Sequence, residues 1–293
     1  MIVACIPAYN EERIISDIVQ RTKKFVDNVV VCDDGSTDKT VQNAKNAGAH
    51  VISHTQNKGK GAAMKSLFEY AKQIDADVII TMDGDGQFLP EEIPKLLGSL
   101  LENKSDIVIG YRFDDTTQMP MYRKFGNKLL DRATNMATNL PFRDTQSGFR
   151  AYSKKALSLV NFSSDGFSAD SEILISAAKN NLKISEEKVT VLYDTGGRTS
   201  TKNPLSHFTL VLTSILEIIT INHPLRYLGI PGVLFIVLGS ILSITVITIF
   251  NDTRYFSIPT TLLALGSLMT GMLLLLISVL LFGITRLTKR GYL

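Results

Sequence analysis

The sequence contains no tryptophan, only two cysteines and only four histidines among its 293 residues. Two cysteines cannot form a disulfide-rich scaffold, and neither a CxxC pair nor a Cys/His spacing typical of structural zinc occurs. Cys5 and Cys32 each lie inside a short apolar run, which predicts buried, reduced thiols. GxxxxGK[ST], HExxH and GxSxG are also absent, which argues against a P-loop, a zinc protease and a nucleophile elbow.

The chain also has little net charge, with 31 basic and 28 acidic residues giving +3. From Tyr227 onward there are four basic residues and one acidic residue, so the first 226 residues carry 27 of each sign. A nucleic-acid-binding protein carries its positive excess in the folded domain. We therefore expect no nucleic-acid partner.

Two long runs lack Asp, Glu, Lys and Arg: Leu228–Phe250, with 23 residues, and Tyr255–Thr285, with 31. A helix of the first length rises about 35 Å, and the hydrocarbon core of a bilayer is roughly 30 Å thick. Basic residues flank the pair on both outer sides, which places those flanks in the cytoplasm by the positive-inside tendency. Residues 227–293 are thus predicted to form a two-helix transmembrane anchor with a short cytoplasmic tail, and its spans are one candidate interface for a homo-oligomer.

The segment 204–226 connects the anchor to the rest of the chain. Within Pro204–Asn222, polar residues recur every three or four positions and share one helical face, while apolar residues fill the others. This pattern, with almost no charge, is typical of an amphipathic helix in the bilayer interface. A core helix of the globular domain is the alternative.

Short β-branched runs alternate with amphipathic stretches in the first half of the chain. The predicted strands are Ile2–Ile6, Asn28–Cys32, His50–Ser53, Asp77–Met82 and Asp106–Gly110. This alternation predicts an α/β domain over residues 1–203, in which a mostly parallel sheet carries helices on both faces. Ligands of such sheets bind beyond the carboxyl ends of the strands, and polar motifs follow most of these strands.

Asp83-Gly84-Asp85, directly after the fourth predicted strand, is the sharpest chemical feature. Two carboxylates one residue apart can address one divalent cation and one ligand together, and hard carboxylate oxygens suit Mg²⁺ or Mn²⁺. Gln87 offers a further oxygen. Asp and Gly are equally common in ordinary strand-end turns, so the triplet alone leaves that alternative open.

Six motifs occur in one order along the chain: IPAYNEE at Ile6–Glu12, DDGSTD at Asp33–Asp38, NKGKGAA at Asn57–Ala63, DGDGQ at Asp83–Gln87, GYR at Gly110–Arg112 and DTQSGFRAY at Asp144–Tyr152. Together they resemble the family 2 glycosyltransferases, above all the dolichyl- or polyprenyl-phosphate mannose and glucose synthases. The resemblance covers residues 2 to about 203. It implies a GT-A type fold, a nucleotide-sugar donor, a divalent metal and sugar transfer with inversion.

The resemblance also implies roles for individual residues on the donor side. The positions that hold the nucleotide sugar correspond here to Pro7, Tyr9, Glu11, Asp34, Asp83 and Gly84, and the metal positions to Asp85 and Gln87. Lys202 matches a lysine on the loop that closes over the diphosphate. The arginine usual six residues earlier is replaced by Gly196, and Arg198, displaced by two positions, is the candidate substitute.

On the acceptor side, Arg112 matches an arginine placed on the donor and acceptor phosphates, and Arg123 with Lys124 is available for the acceptor phosphate. Asp144 is the candidate general base, with the capping of a turn as its alternative role. Asp170 and Glu172 are candidates for contact with the sugar, and a solvated acidic helix start is their alternative.

The chemistry agrees with these roles. A metal at Asp85, together with Lys202 or Arg198, would neutralise the charge that develops on the leaving diphosphate. A lipid monophosphate, with a second pKa near 6, is already largely anionic at pH 7 and needs little help from a base.

We therefore predict transfer of a hexose, from a donor of the GDP-mannose or UDP-glucose type, to dolichyl or polyprenyl phosphate at the cytoplasmic membrane face. A glycosyltransferase that extends a polysaccharide or glycolipid is the first alternative. Processive synthases usually carry a QxxRW-like motif, which this tryptophan-free chain lacks. A membrane-anchored nucleotide-binding module without activity is the second alternative.

Overall fold

A computed structural model describes residues 1–112, 140–162, 169–192 and 224–289, together with residues 128, 131, 132, 134–136 and 138. The chain divides into two compact units, Met1–Ser214 and Ile215–Leu293. The predicted interfacial helix lies outside the described residues, as do four predicted site residues, Arg123, Lys124, Arg198 and Lys202.

The first unit is built on one seven-stranded sheet with the strand order β3-β2-β1-β4-β6-β5-β7. Its strands are β1 (Ile2–Ala8), β2 (Asn28–Asp33), β3 (His50–Ser53), β4 (Val78–Thr81), β5 (Ile107–Tyr111), β6 (Arg150–Ser153) and β7 (Ile184–Lys188). β6 pairs antiparallel with β4 and β5, and the other neighbouring strands pair in parallel. The prediction of a mostly parallel sheet is confirmed.

In the described part of the first unit, the helices that accompany the strands include α1 (Ile15–Thr22), α2 (Thr40–Asn46), α3 (Lys60–Gln73), α4 (Ile93–Glu102), α5 (Lys154–Leu159) and α6 (Ala169–Lys179). The first helix begins at Ile15, although the amphipathic stretch of the sequence already begins at Glu11. The reason is that the residues before it fold into a turn, in which the amide of Ile14 donates to the carbonyl of Glu11 and the amide of Glu11 donates to the Thr40 hydroxyl.

The core has two layers because successive strand residues point to opposite faces of the sheet. Val31 and Ile80 pack with Ile15 of α1 and Leu96 of α4 on one face. On the other face, a second cluster joins the sheet to α3, α5 and α6 through Val30, Ile79, Leu67, Leu157 and Ile173. Helices on both faces leave the ends of the strands as the open edge for a ligand.

Both cysteines lie in the second cluster and are free and buried, as predicted. Burial raises the pKa of the Cys5 and Cys32 thiols to about 12. At neutral pH these thiols therefore stay protonated, and they act as small apolar side chains rather than nucleophiles.

The second unit contains a π-helical turn at Leu225–Gly229 and two long helices, α7 (Ile230–Thr253) and α8 (Ile258–Lys289). The helical segments Leu225–Thr253 and Ile258–Arg286 each have 29 residues, with mean hydropathies of 2.7 and 2.4, so both are long and apolar enough to span a membrane. Arg254, with φ of 57°, ends α7 and allows the short connection to α8.

Small residues let the backbones of the two long helices touch. A Cβ added to Gly239 would lie 2.9 Å from the carbonyl oxygen of Ala264, and one added to Gly271 would lie 2.7 Å from that of Gly232. Glycine at such points is typical of helix packing in membranes, where close van der Waals contact replaces the hydrophobic effect.

Candidate active site

The loops after β1 and β2 are tied into one rim at the carboxyl edge of the sheet. The amide of Asn10 donates to the Ser36 hydroxyl at 2.8 Å, and the side-chain oxygen of Asn10 accepts from the amide of Thr37 at 2.9 Å. Asn10 adopts a positive φ of 57°, which asparagine tolerates better than most residues. The predicted donor residues Pro7, Tyr9 and Glu11 all lie in or beside this rim, with Tyr9 exposed and Glu11 buried.

Asp34, the predicted nucleoside contact, connects this rim to the start of α3. Its Oδ1 accepts from the amide of Lys58 at 3.0 Å and contacts Nδ1 of His54 at 2.7 Å, while its Oδ2 accepts from the amide of Gly59 at 2.7 Å. The residue is 4% exposed. Asp34 therefore fixes the backbone that leads into α3.

His54 is a partner of Asp34 that the sequence did not reveal, because none of the six motifs includes it. Its Nε2 also contacts the Ser66 hydroxyl on α3 at 2.9 Å. The available signal was its position directly after β3, at the same sheet edge as Asp34.

We expect Asp34→Ala to raise the KM for the nucleotide sugar more than it lowers kcat, because a contact remote from the reacting carbon contributes mainly uniform binding. The substitution should also cost about 1–3 kcal/mol of unfolding free energy, since two backbone amides lose their acceptor. Steady-state kinetics and denaturant unfolding measure the two effects. An unchanged KM in a folded variant would remove Asp34 from the donor site.

Asp83 lies beside a lysine that neutralises it. Lys60, the first residue of α3, places its Nζ 2.7 Å from Oδ1 of Asp83 and 3.2 Å from Oδ2 of Asp170. Burial lowers the pKa of Lys60, but Asp170 and Asp83 together raise it above its ordinary value, so the ammonium persists at neutral pH. The NKGKGAA motif at Asn57–Ala63, which contains Lys60, is thus joined to the acidic triplet.

Asp85, the second carboxylate of the triplet, lies in an environment that disfavours its charge. Burial, followed by repulsion from Asp83, raises the pKa of Asp85 to about 6, although its Oδ1 accepts from the amide of Gln87 at 3.0 Å. A divalent cation would relieve this repulsion, so the residues fit the implied Mg²⁺ or Mn²⁺. Within the described residues, no three His, Cys, Asp or Glu side chains converge to hold a metal. An open site of this kind suits a cation that keeps waters and phosphate oxygens as ligands.

Gly148 covers Asp83 so closely that no side chain fits between them. A Cβ on Gly148 would lie 2.6 Å from Oδ1 of Asp83. The glycine is held in place because its carbonyl accepts from the Thr81 hydroxyl at 2.9 Å. Gly84 is similarly restricted, because its Cβ would lie 2.9 Å from the carbonyl oxygen of Pro7.

Gly148→Ala is expected to reduce sugar transfer about 10- to 100-fold, because the added methyl group displaces the Asp83 carboxylate and catalysis is sensitive to shifts of about 1 Å. The matched control is Gly98→Ala on α4. Apart from the backbone of α4 itself, no described atom lies within 4 Å of the added Cβ. That variant should keep its activity and gain roughly 0.5–1 kcal/mol of stability. Equal activity of the two variants would show that Asp83 tolerates displacement.

Arg112, just beyond β5, is paired with Asp144. Its Nε and Nη2 donate to the two carboxylate oxygens at 2.7 and 3.0 Å, and its backbone amide donates to Oδ2 at 3.1 Å. The Arg112 side chain is 12% exposed and that of Asp144 is 0% exposed. The structure thus brings together two predicted catalytic residues that are 32 positions apart in the chain.

Arg150 and Asp131 hold the segment that follows Asp144. Arg150, wholly buried, donates to the backbone oxygens of Thr145 at 2.7 Å and Asp170 at 2.9 Å. Asp131 accepts from the amide and hydroxyl of Thr145 at 2.8 and 2.7 Å, and burial raises its pKa to about 6. Asp131 was not singled out from the sequence, where no motif marks it.

The chain is similar in sequence to proteins of known family. The family described as Glycosyl transferase family 2 matches residues 3–160. A UDP-N-acetylglucosamine–dolichyl-phosphate N-acetylglucosaminyltransferase of Methanococcus voltae is 32% identical over 216 residues, which cover 66% of this chain and 86% of the relative. A dolichol-phosphate mannosyltransferase of Pyrococcus furiosus is 34% identical over 185 residues, covering 58% of this chain and 51% of the relative.

Solved structures support the fold. The glucosyl-3-phosphoglycerate synthase of Mycobacterium tuberculosis, in complex with Mn²⁺, UDP-glucose and phosphoglyceric acid, superposes with a TM-score of 0.60. The match covers 74% of this chain and 79% of that chain at 22% identity. The GT-A type fold expected from the motifs is therefore confirmed.

Proposed function

Because this chain belongs to glycosyl transferase family 2, we propose that it transfers a sugar from a nucleoside-diphosphate sugar to dolichyl or polyprenyl phosphate. Transfer proceeds with inversion at the cytoplasmic face of the membrane. The donor is of the GDP-mannose or UDP-glucose type, or UDP-N-acetylglucosamine as in the name of the Methanococcus voltae relative. One observation carries the proposal. The acidic pair Asp83 and Asp85 lies on the same edge of the sheet as Arg112, which is mostly buried and forms an ion pair with Asp144.

In this proposal the rim binds the nucleoside through Pro7, Tyr9, Glu11 and Asp34. Asp83 and Gly84 position the sugar and diphosphate, and Asp85 with Gln87 would hold Mg²⁺ or Mn²⁺. When bound, this cation supplies positive charge that stabilises the leaving diphosphate. The Mycobacterium tuberculosis neighbour binds its UDP-glucose together with Mn²⁺, which supports a divalent cation here. Arg198 and Lys202 add charge to the same leaving group.

The acceptor phosphate is bound by Arg112 and Arg123 in this proposal. Its second pKa is near 6, so it reaches the site at neutral pH as an anion that attacks the anomeric carbon without a strong base. Two helices capable of spanning a bilayer keep the enzyme in the membrane that contains a polyprenyl phosphate. The relatives from Methanococcus voltae and Pyrococcus furiosus carry dolichyl or dolichol phosphate in their names, which supports this acceptor class.

A panel of radiolabelled nucleotide sugars tests the proposal. The full chain in polyprenyl-phosphate-containing vesicles is incubated with Mn²⁺ and UDP-glucose, GDP-mannose or UDP-N-acetylglucosamine, and label is counted in the organic phase. One donor should yield an acid-labile glycolipid whose anomeric configuration is opposite to that of the donor. The absence of lipid-linked label with every donor, from a folded protein, would overturn the proposal.

A further inference from the structure

The contact between Arg112 and Asp144 has the geometry of a clamp. Both carboxylate oxygens are used by the guanidinium, and one of them also accepts from the backbone amide of the same arginine. The planar fork of arginine matches a carboxylate in this bidentate arrangement, which fixes orientation as well as distance. The contact with Asp144 therefore holds the Arg112 side chain in one rotamer.

The burial of Asp144 and its pairing with Arg112 argue against the role of general base. A base must come within hydrogen-bond reach of the proton that it removes. Asp144 has no exposed side-chain surface, and its oxygens already accept hydrogen bonds from Arg112. A buried ion pair contributes little net stability, because the cost of desolvating both charges offsets their attraction. The pair of Arg112 and Asp144 is therefore better explained as a contact that fixes the geometry of the arginine.

The carboxylate is placed by the fold and not by a ligand. The next residue, Thr145, is held through its amide by Asp131 and through its carbonyl by Arg150. Two positions further on, the Ser147 hydroxyl donates to the carbonyl of Gly110 at the end of β5. Asp144 is thus fixed against the same strand end that carries Arg112.

We infer that Asp144 is a positioning residue, which acts on sugar transfer only by holding the Arg112 guanidinium toward the phosphates. The inference rests on the proposed function, in which Arg112 binds those phosphates. It replaces the role of general base that the motif suggested for Asp144 with an indirect one.

A double-mutant cycle separates the two roles. Arg112→Gln, Asp144→Asn and the double variant are assayed for kcat and for the KM of polyprenyl phosphate. If Asp144 acts through Arg112, each single variant should lose about 100-fold in kcat/KM, with a raised acceptor KM in both. The double variant should then lose little more than Arg112→Gln alone. An independent base would instead lower kcat and add a further loss of about 100-fold in the double variant.

Asp131→Asn is the matched control, because it removes a buried carboxylate that contacts the same segment, keeps an oxygen that can accept from Thr145, and leaves both hydrogen-bonding partners of the clamp in place. It should not raise the acceptor KM, and its melting temperature at neutral pH should not fall, because burial disfavours the charge that it removes. An equal rise of that KM in Asp131→Asn would show that general loosening of the segment, and not the clamp, is responsible. This result would overturn the inference.

If Asp144→Asn does not fold, because it removes the negative charge beside the mostly buried Arg112, the comparison of Arg112→Gln with the double variant still distinguishes the two roles. Neither contains the arginine, so the inference requires them to be equally active, and a further loss in the double variant contradicts it. Affinity for UDP with Mn²⁺, measured by calorimetry over the same cycle, gives a readout that does not depend on the acceptor. If wild type makes no lipid-linked sugar, the proposed function fails, while non-additivity in UDP affinity still tests the clamp.

Discussion

Replacing Asp85 by asparagine should lower sugar transfer about 100- to 1,000-fold, which is the loss that follows removal of one group stabilising charge in a transition state. The amide keeps the shape of the side chain and can still accept from the amide of Gln87, but it lacks the charge that would hold a divalent cation. Asp85→Ala should abolish transfer altogether. Initial rates over a titration of Mn²⁺ measure the effect, and the metal concentration for half-maximal rate should rise in Asp85→Asn.

Asp85→Asn should also stabilise the metal-free protein. The pKa of Asp85 is raised to about 6, so the folded state disfavours the ionised form at neutral pH. This unfavourable contribution disappears as the pH falls below the ordinary pKa of an aspartate, where Asp85 is protonated in the folded and the unfolded state alike. Asp85→Asn should therefore melt at a higher temperature than wild type at pH 7.5 in chelator, and the difference should vanish at about pH 3.

Asp77→Asn is the matched control, because Asp77 precedes β4 at the opposite end from Asp85 and pairs on the surface with the amino terminus and Lys154. Its replacement should change neither activity nor metal dependence. Near-normal turnover of a folded Asp85→Asn protein would contradict the metal-binding role.

Polyprenyl phosphate should be a better acceptor than the matching polyprenol by at least about 100-fold in kcat/KM. Sites built to bind a polar group reject analogues that lack it by large factors, because their own polar groups are then left unpaired. Arg112 is mostly buried, so its charge has little solvent with which to replace the missing phosphate. Both lipids are presented in the same vesicles with the same labelled donor, and product is counted in the organic phase.

Arg112→Gln supplies the control for this comparison. It should depress transfer to polyprenyl phosphate much more than it depresses transfer to polyprenol, and hydrolysis of the donor to free sugar should suffer less. Equal kcat/KM values for the two lipids with the wild-type enzyme would contradict the hypothesis that the acceptor is a phosphate. A transferase that adds sugar to a hydroxyl, as in polysaccharide or glycolipid extension, would then be favoured.

Much of the fold follows from local pattern. The β-branched runs and amphipathic stretches predicted the strands and helices because side-chain periodicity reports which faces a segment buries. The two uncharged runs likewise predicted the two long apolar helices, since length and composition alone decide whether a helix could span a membrane. The motifs at strand ends predicted that their side chains meet at one edge of the sheet, because parallel strands bring their carboxyl ends together.

The partners of the site residues required the tertiary structure. Lys60 and Asp170 are 110 positions apart, and no local pattern pairs a lysine at a helix start with an aspartate so distant in the chain. The pairing of His54 with Asp34, and of Asp144 with Arg112, depends in the same way on which loops the sheet order places side by side. Each of these contacts decides what its residue can do.

The burial of the site carboxylates could not be predicted from the sequence, because the packing of the surrounding loops determines it. A carboxylate at a strand end is expected to face solvent, yet Asp85 is desolvated enough for its pKa to rise to about 6, and Asp144 has no exposed side-chain surface. Residue type and position determine which groups reach the edge of the sheet. The surrounding loops determine how much water remains around each one, and hence whether it carries charge, binds a cation or holds a neighbour in place.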